Sequence, residues 1–297
     1  MKTTNKAIIY AGISVLSWST VATAFKLALR QQTYFEMLLI ASCTALVILA
    51  AAMTLQGKWR QLTRLSGKRW GAYALIGLLN PVLYYLVLFK EYALLPAQIA
   101  QPINYCWPIF LLILMSLFGH QSIRRKKYIG MALSLGGVVL ISVGSGQVQQ
   151  SSIPVTGLLL ALLSALLWAT FWVINKINEQ TDSTVNLFVI FLFGSAYLLL
   201  SALFIPVHLT FGSSMYASIY IGAFEMAIPF IFFSMALKST NNPALINQLC
   251  YLAPFASLLL IHFVLKEHIY TTTFCGLILI IVGIVFNEYF VSAAKAK

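Results

Sequence analysis

Apolar residues gather into ten stretches separated by short polar connections. They lie at roughly 7–25, 34–55, 70–89, 94–118 and 128–146, then at roughly 155–175, 185–206, 214–236, 243–264 and 272–290. At about 1.5 Å of helical rise per residue, runs of this length match a hydrocarbon core of about 30 Å. Only helices and closed barrels satisfy every backbone hydrogen bond in lipid. Barrel strands would be about 10 residues long and would alternate apolar with polar positions, and these stretches do neither. The pattern predicts an all-α integral membrane protein with ten transmembrane helices and no soluble domain.

The ten spans divide into two related sets of five. SWSTVATAFK (17–26) aligns with LWATFWVINK (167–176), setting Trp18 against Trp168, Thr20 against Thr170 and Lys26 against Lys176 at one spacing (168 − 18 = 150). Tyr105 and Pro108 meet Tyr251 and Pro254, and Gly130 and Gly137 meet Gly276 and Gly283, all at a second spacing (251 − 105 = 146). The halves are residues 1–150 and 151–297. Because five is odd, the second half enters the membrane from the opposite side, which makes an inverted repeat of the kind secondary transporters use for alternating access. Lys2, Lys6 and the small residues VATA (21–24) imitate a cleavable secretory signal. The internal partner of the first span argues that it is retained.

Charge adds orientation. The chain is 60% hydrophobic and 9% charged, with a net charge of +12, against about 25% charged residues in a soluble domain. The basic residues cluster on alternate connections: Lys58, Arg60, Arg64, Lys68 and Arg69 in one, Arg124, Arg125, Lys126 and Lys127 in another, with Lys2, Lys6, Lys295 and Lys297 at the ends. The inverted counterpart of the second cluster, LKEHIYTTT, holds only Lys266 and Glu267. Positive-inside asymmetry therefore expects a multi-pass membrane protein with both termini cytoplasmic. The basic surplus reports topology and contact with anionic lipid, and no nucleic-acid partner is expected.

Catalytic chemistry leaves no trace. There is no HExxH motif, no phosphate-binding loop and no CxxC pair, and the histidines at 120, 208, 262 and 268 form no close ligand pair. No cofactor or metal is expected.

Two awkward stretches supply the candidate site. QPINYCWPIF (101–110) and NQLCYLAPFA (247–256) put amides, aromatics and prolines inside apolar spans. Residues three and four apart share a helical face, so Gln98, Gln101, Asn104, Tyr105 and Pro108 in the fourth span, and Asn247 or Gln248, Tyr251 and Pro254 in the ninth, are expected to face a polar central cavity and not lipid, with Trp107 as a further candidate for its lining. Each proline frees a carbonyl about one turn earlier, tolerable where protein or cavity water satisfies it. Trp18 and Trp168 read equally well as cavity-lining groups or packing anchors. Tyr84, with its neighbour Tyr85, joins the aromatic set. Glu225, in YIGAFEMAIPF, is the only acid this reading places well inside a span, and Gly77 and Gly222 set Asn80 in the corresponding place of the first half. An intramembrane carboxyl is a functional candidate by default: a proton carrier, a site for a substrate ammonium, or a fixed structural group.

LSWST in the first span, INYCWPIF in the fourth and the five-plus-five repeat resemble the drug/metabolite transporter superfamily, specifically its EamA-type transporters. INYCWP is similar to the NYLWP-like stretch of the bacterial aromatic amino acid exporters, with Cys106 where those often carry leucine. The resemblance implies a ten-helix inner-membrane carrier with a cavity lined by helices 1, 3, 4, 6, 8 and 9. Ala253 stands where the first half has Trp107, so the two halves are no longer equivalent. The resulting expectation is a secondary transporter that exports small organic metabolites, such as amino acids or aromatic metabolites, by alternating access, with protons as candidate driving ion. A channel, a non-transporting sensor and an integral-membrane enzyme are the alternatives.

Overall fold

The computed structural model describes residues 2–118, 126–148, 153–177, 181–209, 211–240, 246 and 249–292. Among them there is no strand. The helices are α1 (Lys2–Ala28), α2 (Tyr34–Leu55), α3 (Gly67–Gly77), α4 (Tyr84–Leu94), α5 (Ala97–Asn104), α6 (Trp107–Phe118), α7 (Lys127–Val148), α8 (Val155–Ile177), α9 (Ser183–Ser201), α10 (Ser213–Ile221), α11 (Ile228–Lys238), α12 (Ala253–Leu265) and α13 (Thr271–Ser292). A π-helical turn over Leu78–Leu83 joins α3 to α4, and another over Gly222–Ala227 joins α10 to α11. Seven helical stretches among the described residues are long and apolar enough to cross a membrane: Asn5–Ala28, Tyr34–Leu55, Gly67–Leu94, Ala97–Phe118, Val155–Ile174, Ser183–Ser201 and Ser213–Lys238. Lys127–Ile141, Cys250–Leu265 and Thr271–Asn287 are shorter apolar helices, lying where the fifth, ninth and tenth spans are expected.

Side-chain placement is that of a lipid-facing molecule. Leu16, Leu75, Phe204, Phe211 and Tyr216 are exposed, whereas Ser14, Ser42, Ser164, Ser195, Ser218 and Ser257 are fully buried. In water this arrangement would be costly on both counts; in lipid the apolar exterior is solvated, and all of these hydroxyls except that of Ser257, which has no partner among the described residues, bond another hydroxyl, a carbonyl or a buried polar side chain. Ser42 and Ser195, whose oxygens lie 2.8 Å apart, do so where α2 meets α9.

Helix starts explain several boundaries. Glu36 N–H donates to Thr33 Oγ1 at 3.2 Å and Thr33 N–H donates to Glu36 Oε2 at 2.8 Å, a reciprocal cap that satisfies two open donors of α2. Asp182 caps α9 by accepting from Thr184 N–H at 2.9 Å. Pro96 precedes α5 and offers no cap, so the loop before α13 supplies one: Glu267 accepts from Ala97 N–H and Gln98 N–H, each at 3.2 Å.

The described structure divides into two compact units, one of Met1–Phe89 with Asn178–Leu265 and the other of Lys90–Ile177 with Lys266–Lys297. In the first unit α1 packs on α10, α11 and α12, and α2 and α3 pack on α9. In the second unit α8 packs on α5 and α6, and α7 packs along α13. Glycine explains that last seam. Gly130 faces Gly283 and Gly137 faces Gly276, and a methyl group on any of the four would collide with the carbonyl of its opposite number. Between these pairs, Ser134 Oγ–H donates to the Ile280 carbonyl at 3.0 Å. Small residues let two backbones approach to this distance in a membrane, where apolar burial alone gives helices little reason to associate.

Candidate functional site

Within the first unit the site is built on the two π turns. Asn80 interrupts the third span with extended torsions (φ −141°, ψ 119°) immediately before Pro81. It is buried, and its Oδ1 has no hydrogen-bond partner among the described residues. Glu225 occupies the other π turn, also buried, and accepts from Tyr85 Oη–H at 3.2 Å. Among the described residues no cation pairs with it. Close backbone packing places this turn: a Cβ on Gly222 would collide with the Ala41 carbonyl of α2, as one on Gly77 would lie 2.8 Å from the Ile190 carbonyl of α9. Tyr84 and Tyr85, both buried, meet edge-on with ring centroids 4.6 Å apart, and tilted ring contacts continue from Tyr85 to Phe89 at 5.4 Å and on to Phe25 at 4.9 Å. Trp18 is half-buried between Phe230 at 5.8 Å and Phe233 at 5.6 Å. Tyr251 sits half-buried in the 3-10 turn Cys250–Leu252 that leads into α12. Asn247 and Gln248 lie outside the described residues.

In the second unit the fourth span breaks between Asn104 and Trp107, with Tyr105 at φ −64°, ψ −2°. Pro108 accounts for the break, since its ring and missing N–H exclude a helical bond to residue 104. Tyr105 and Trp107 are half-buried at this break. Gln101 is buried, and its Oε1 has no partner among the described residues. Asn104 donates through Nδ2 to Ser164 Oγ of α8 at 2.8 Å. Trp168, half-buried on α8, stacks on Phe171 (5.5 Å, 27°) and meets Trp172 edge-on. Gln98 is differently engaged: Nε2–H donates to the His268 carbonyl at 2.7 Å, and Oε1 accepts from Tyr270 N–H at 3.3 Å and Thr273 Oγ1–H at 3.4 Å.

One expectation requires correction. Glu225 is not the only acid inside a span, because the third span runs over Gly67–Leu94 and not 70–89. Glu91 therefore lies on α4, fully buried. The signal was present: Tyr84, Leu88 and Glu91 are spaced four and three apart, one helical face continuing past the expected end. Glu36, also buried, begins α2 as part of its cap.

Buried polar groups, an apolar exterior and paired helix interruptions define a multi-pass membrane protein with polar chemistry inside its spans. Residues 5–143 and 155–289 each match the EamA-like transporter family, one repeat after the other, and the chain belongs to that family. It is 27% identical over 223 residues to the uncharacterized transporter YvbV of Bacillus subtilis (strain 168), covering 72% of this chain and 70% of that protein. A crystal structure that is 20% identical shares the fold, with a TM-score of 0.70 over 99% of each chain. Membership in this family implies a small-molecule solute and a bilayer.

Proposed function

We propose that this chain is a proton-driven secondary exporter of small organic metabolites, with amino acids and aromatic metabolites as the first solutes to test. It works by alternating access in the inner membrane, through ten helices arranged as an inverted repeat of residues 1–150 and 151–297. The observation that carries the reading is Glu225: a buried carboxyl, free of any cation among the described residues, hydrogen-bonded to Tyr85 and set in a helix interruption whose counterpart holds Asn80. A group so placed can exchange a proton or meet a substrate ammonium without first breaking an ion pair.

The glycine seam supports the repeat geometry. Gly130 and Gly276 are equivalent in sequence, as are Gly137 and Gly283, yet the contacts run 130 to 283 and 137 to 276. Each residue touches the equivalent of the other, as across a two-fold axis. The partner numbers fall as the α7 numbers rise, so the two helices are antiparallel, and an axis relating antiparallel membrane-crossing helices lies in the membrane plane.

Asn80, Tyr84, Tyr105, Tyr251, Gln101, Asn104, Asn247, Gln248, Trp18, Trp107 and Trp168 are the proposed lining, and Gln98 the proposed end of the polar stripe. Dose-dependent thermal shifts with amino acids, nucleosides and carboxylates identify the solute, since binding to the folded state raises apparent stability. That solute is then followed in proteoliposomes under an imposed pH gradient. Glu225→Gln keeps shape and hydrogen bonding but not titration, so it is expected to retain solute exchange and lose proton-driven accumulation. Accumulation as strong as the parent's would exclude Glu225 as the coupling group. Labelled-for-unlabelled counterflow separates a carrier from a pore that merely equilibrates.

A further inference from the structure

The second unit contains a buried acid that the proposed site does not use. Glu91 of α4 is fully buried, and its recorded polar contact is to one residue: Oε2 lies 2.8 Å from Ser164 Oγ of α8. Its other oxygen, Oε1, has no partner among the described residues. Ser164 Oγ also lies 2.8 Å from the Ala161 carbonyl and accepts from Asn104 Nδ2–H at 2.8 Å.

A serine hydroxyl has one hydrogen and two lone pairs. With Glu91 ionised, Ser164 faces two acceptors with a single hydrogen, and either the carboxylate or the Ala161 carbonyl is left without it. With a proton on Oε2, all three contacts close: Glu91 donates to Ser164, Asn104 donates to the second lone pair, and Ser164 donates to Ala161. The ionised form also leaves a buried anionic oxygen with no cation paired to it among the described residues, the more expensive of the two arrangements.

The acid is not required by the fold. Ser14 is the repeat counterpart of Ser164 (164 − 14 = 150), is equally buried, and is satisfied by carbonyls alone, those of Pro229 at 2.8 Å and Tyr10 at 3.3 Å. The spacing of the third-span pair Gly77 and Gly222 (222 − 77 = 145) sets Ala236 opposite Glu91, and the spacing of 146 sets Leu237 there. One half thus builds this corner without a carboxyl, while the other places one on the same serine.

We infer that Glu91 is a second proton-binding carboxyl, with Ser164 and Asn104 as positioning residues whose hydrogen bonds rearrange when the proton leaves. A metal cation fits less well. Hard cations take about six oxygen ligands, whereas the groups meeting here present an N–H and an O–H, and no metal-ligating cluster of His, Cys, Asp and Glu occurs among the described residues. On the elements that carry this cluster the titratable and charged residues are Lys90, Tyr84, Tyr85 and Tyr92 of α4, Tyr105 and Cys106 after α5, and Glu267, which caps α5 from the loop before α13; α6 has none, and the Lys176 side chain of α8 lies outside the described residues. The inference deepens the proton-driven reading and rests on it for the role of Glu91 in transport, but not for occupancy of the site.

Infrared difference spectra of the full chain in lipid nanodiscs, recorded through a pH titration in H₂O and D₂O, test it. A carboxylic-acid C=O band is expected that weakens as pH rises, is lost in E91Q, persists in E225Q and shifts in S164A. If E91Q keeps every band of the parent, if the band does not respond to pH, or if sodium removes it at constant pH, the assignment fails. Should E91Q not fold, the S164A spectrum decides: an unshifted band overturns the proposal. E225Q proteoliposomes that still accumulate solute against its gradient would end the coupling reading while leaving the Glu91 band intact, so the two failures are distinguishable.

Discussion

Gly136 and Gly137 are consecutive residues of α7, yet a Cβ on the first meets nothing within 4 Å and on the second meets the Gly276 carbonyl and Ile280. Gly137→Ala is therefore expected to destabilise by about 1–3 kcal/mol, the usual cost of overpacking, while Gly136→Ala is neutral or gains from alanine's helix preference. Thermal unfolding in one detergent compares them directly. Asp182 is a second single-residue case. It lies outside the spans, with Lys58 Nζ at 2.7 Å and Lys238 Nζ at 3.5 Å. Partial burial pushes its carboxyl up, but the Lys58 ammonium, the Thr184 N–H and the charge of Lys238 outweigh this and hold it below the usual range. A depressed folded value means its stabilisation is present above the unfolded value of about 3.9 and is lost as pH falls through the folded one. Asp182→Asn keeps a good helix cap, so it is expected to lower stability near neutral pH by about 1 kcal/mol or less. The difference from the parent should close in acid below about pH 4.

At the scale of elements, the sequence pattern carried helix positions well and helix interruptions only in part. Pro108 signalled the break after Asn104, because a proline's effect on its own helix is local. The turn at Glu225 was not legible, since it depends on Gly222 pressing against Ala41 of α2, nearly two hundred residues earlier in the chain. Gln98 makes the same point. Its spacing puts it on the polar face of the fourth span, but the groups that engage its amide, His268, Tyr270 and Thr273, arrive from the loop and first turn of α13. A purely clasping Gln98 gives a definite expectation: Gln98→Ala removes its bonds to the His268 carbonyl, Tyr270 N–H and Thr273 Oγ1 and costs about 1–3 kcal/mol. Tyr105→Ala, at a half-buried position, is expected to reduce transport with a smaller stability loss. Paired measurements of melting temperature and solute flux separate the two behaviours.

For the whole molecule, the repeats read from sequence and the compact units of the structure are different divisions. Each compact unit takes helices from both halves, so a cut at residue 150 severs α7 from α13 and α2 from α9. No local pattern announces this, because it follows from which helix faces are complementary once all are present. The orientation proposed from charge has a direct check: reporter fusions at either end are expected to be active only in the cytoplasmic format, and a periplasmic C-terminus would overturn the inverted arrangement proposed above. The seam between α7 and α13 also has a consequence for biosynthesis. Gly130 cannot meet its carbonyl partner until residue 283 has been translated, and at about 5–20 residues per second the ribosome needs roughly 8–30 s for that interval. During this time the glycine face of α7 is open to lipid or to another nascent helix. Chains halted before Thr271 are thus expected to be substrates for membrane quality control, and a pulse-chase of stalled and released products would reveal their shorter lifetime.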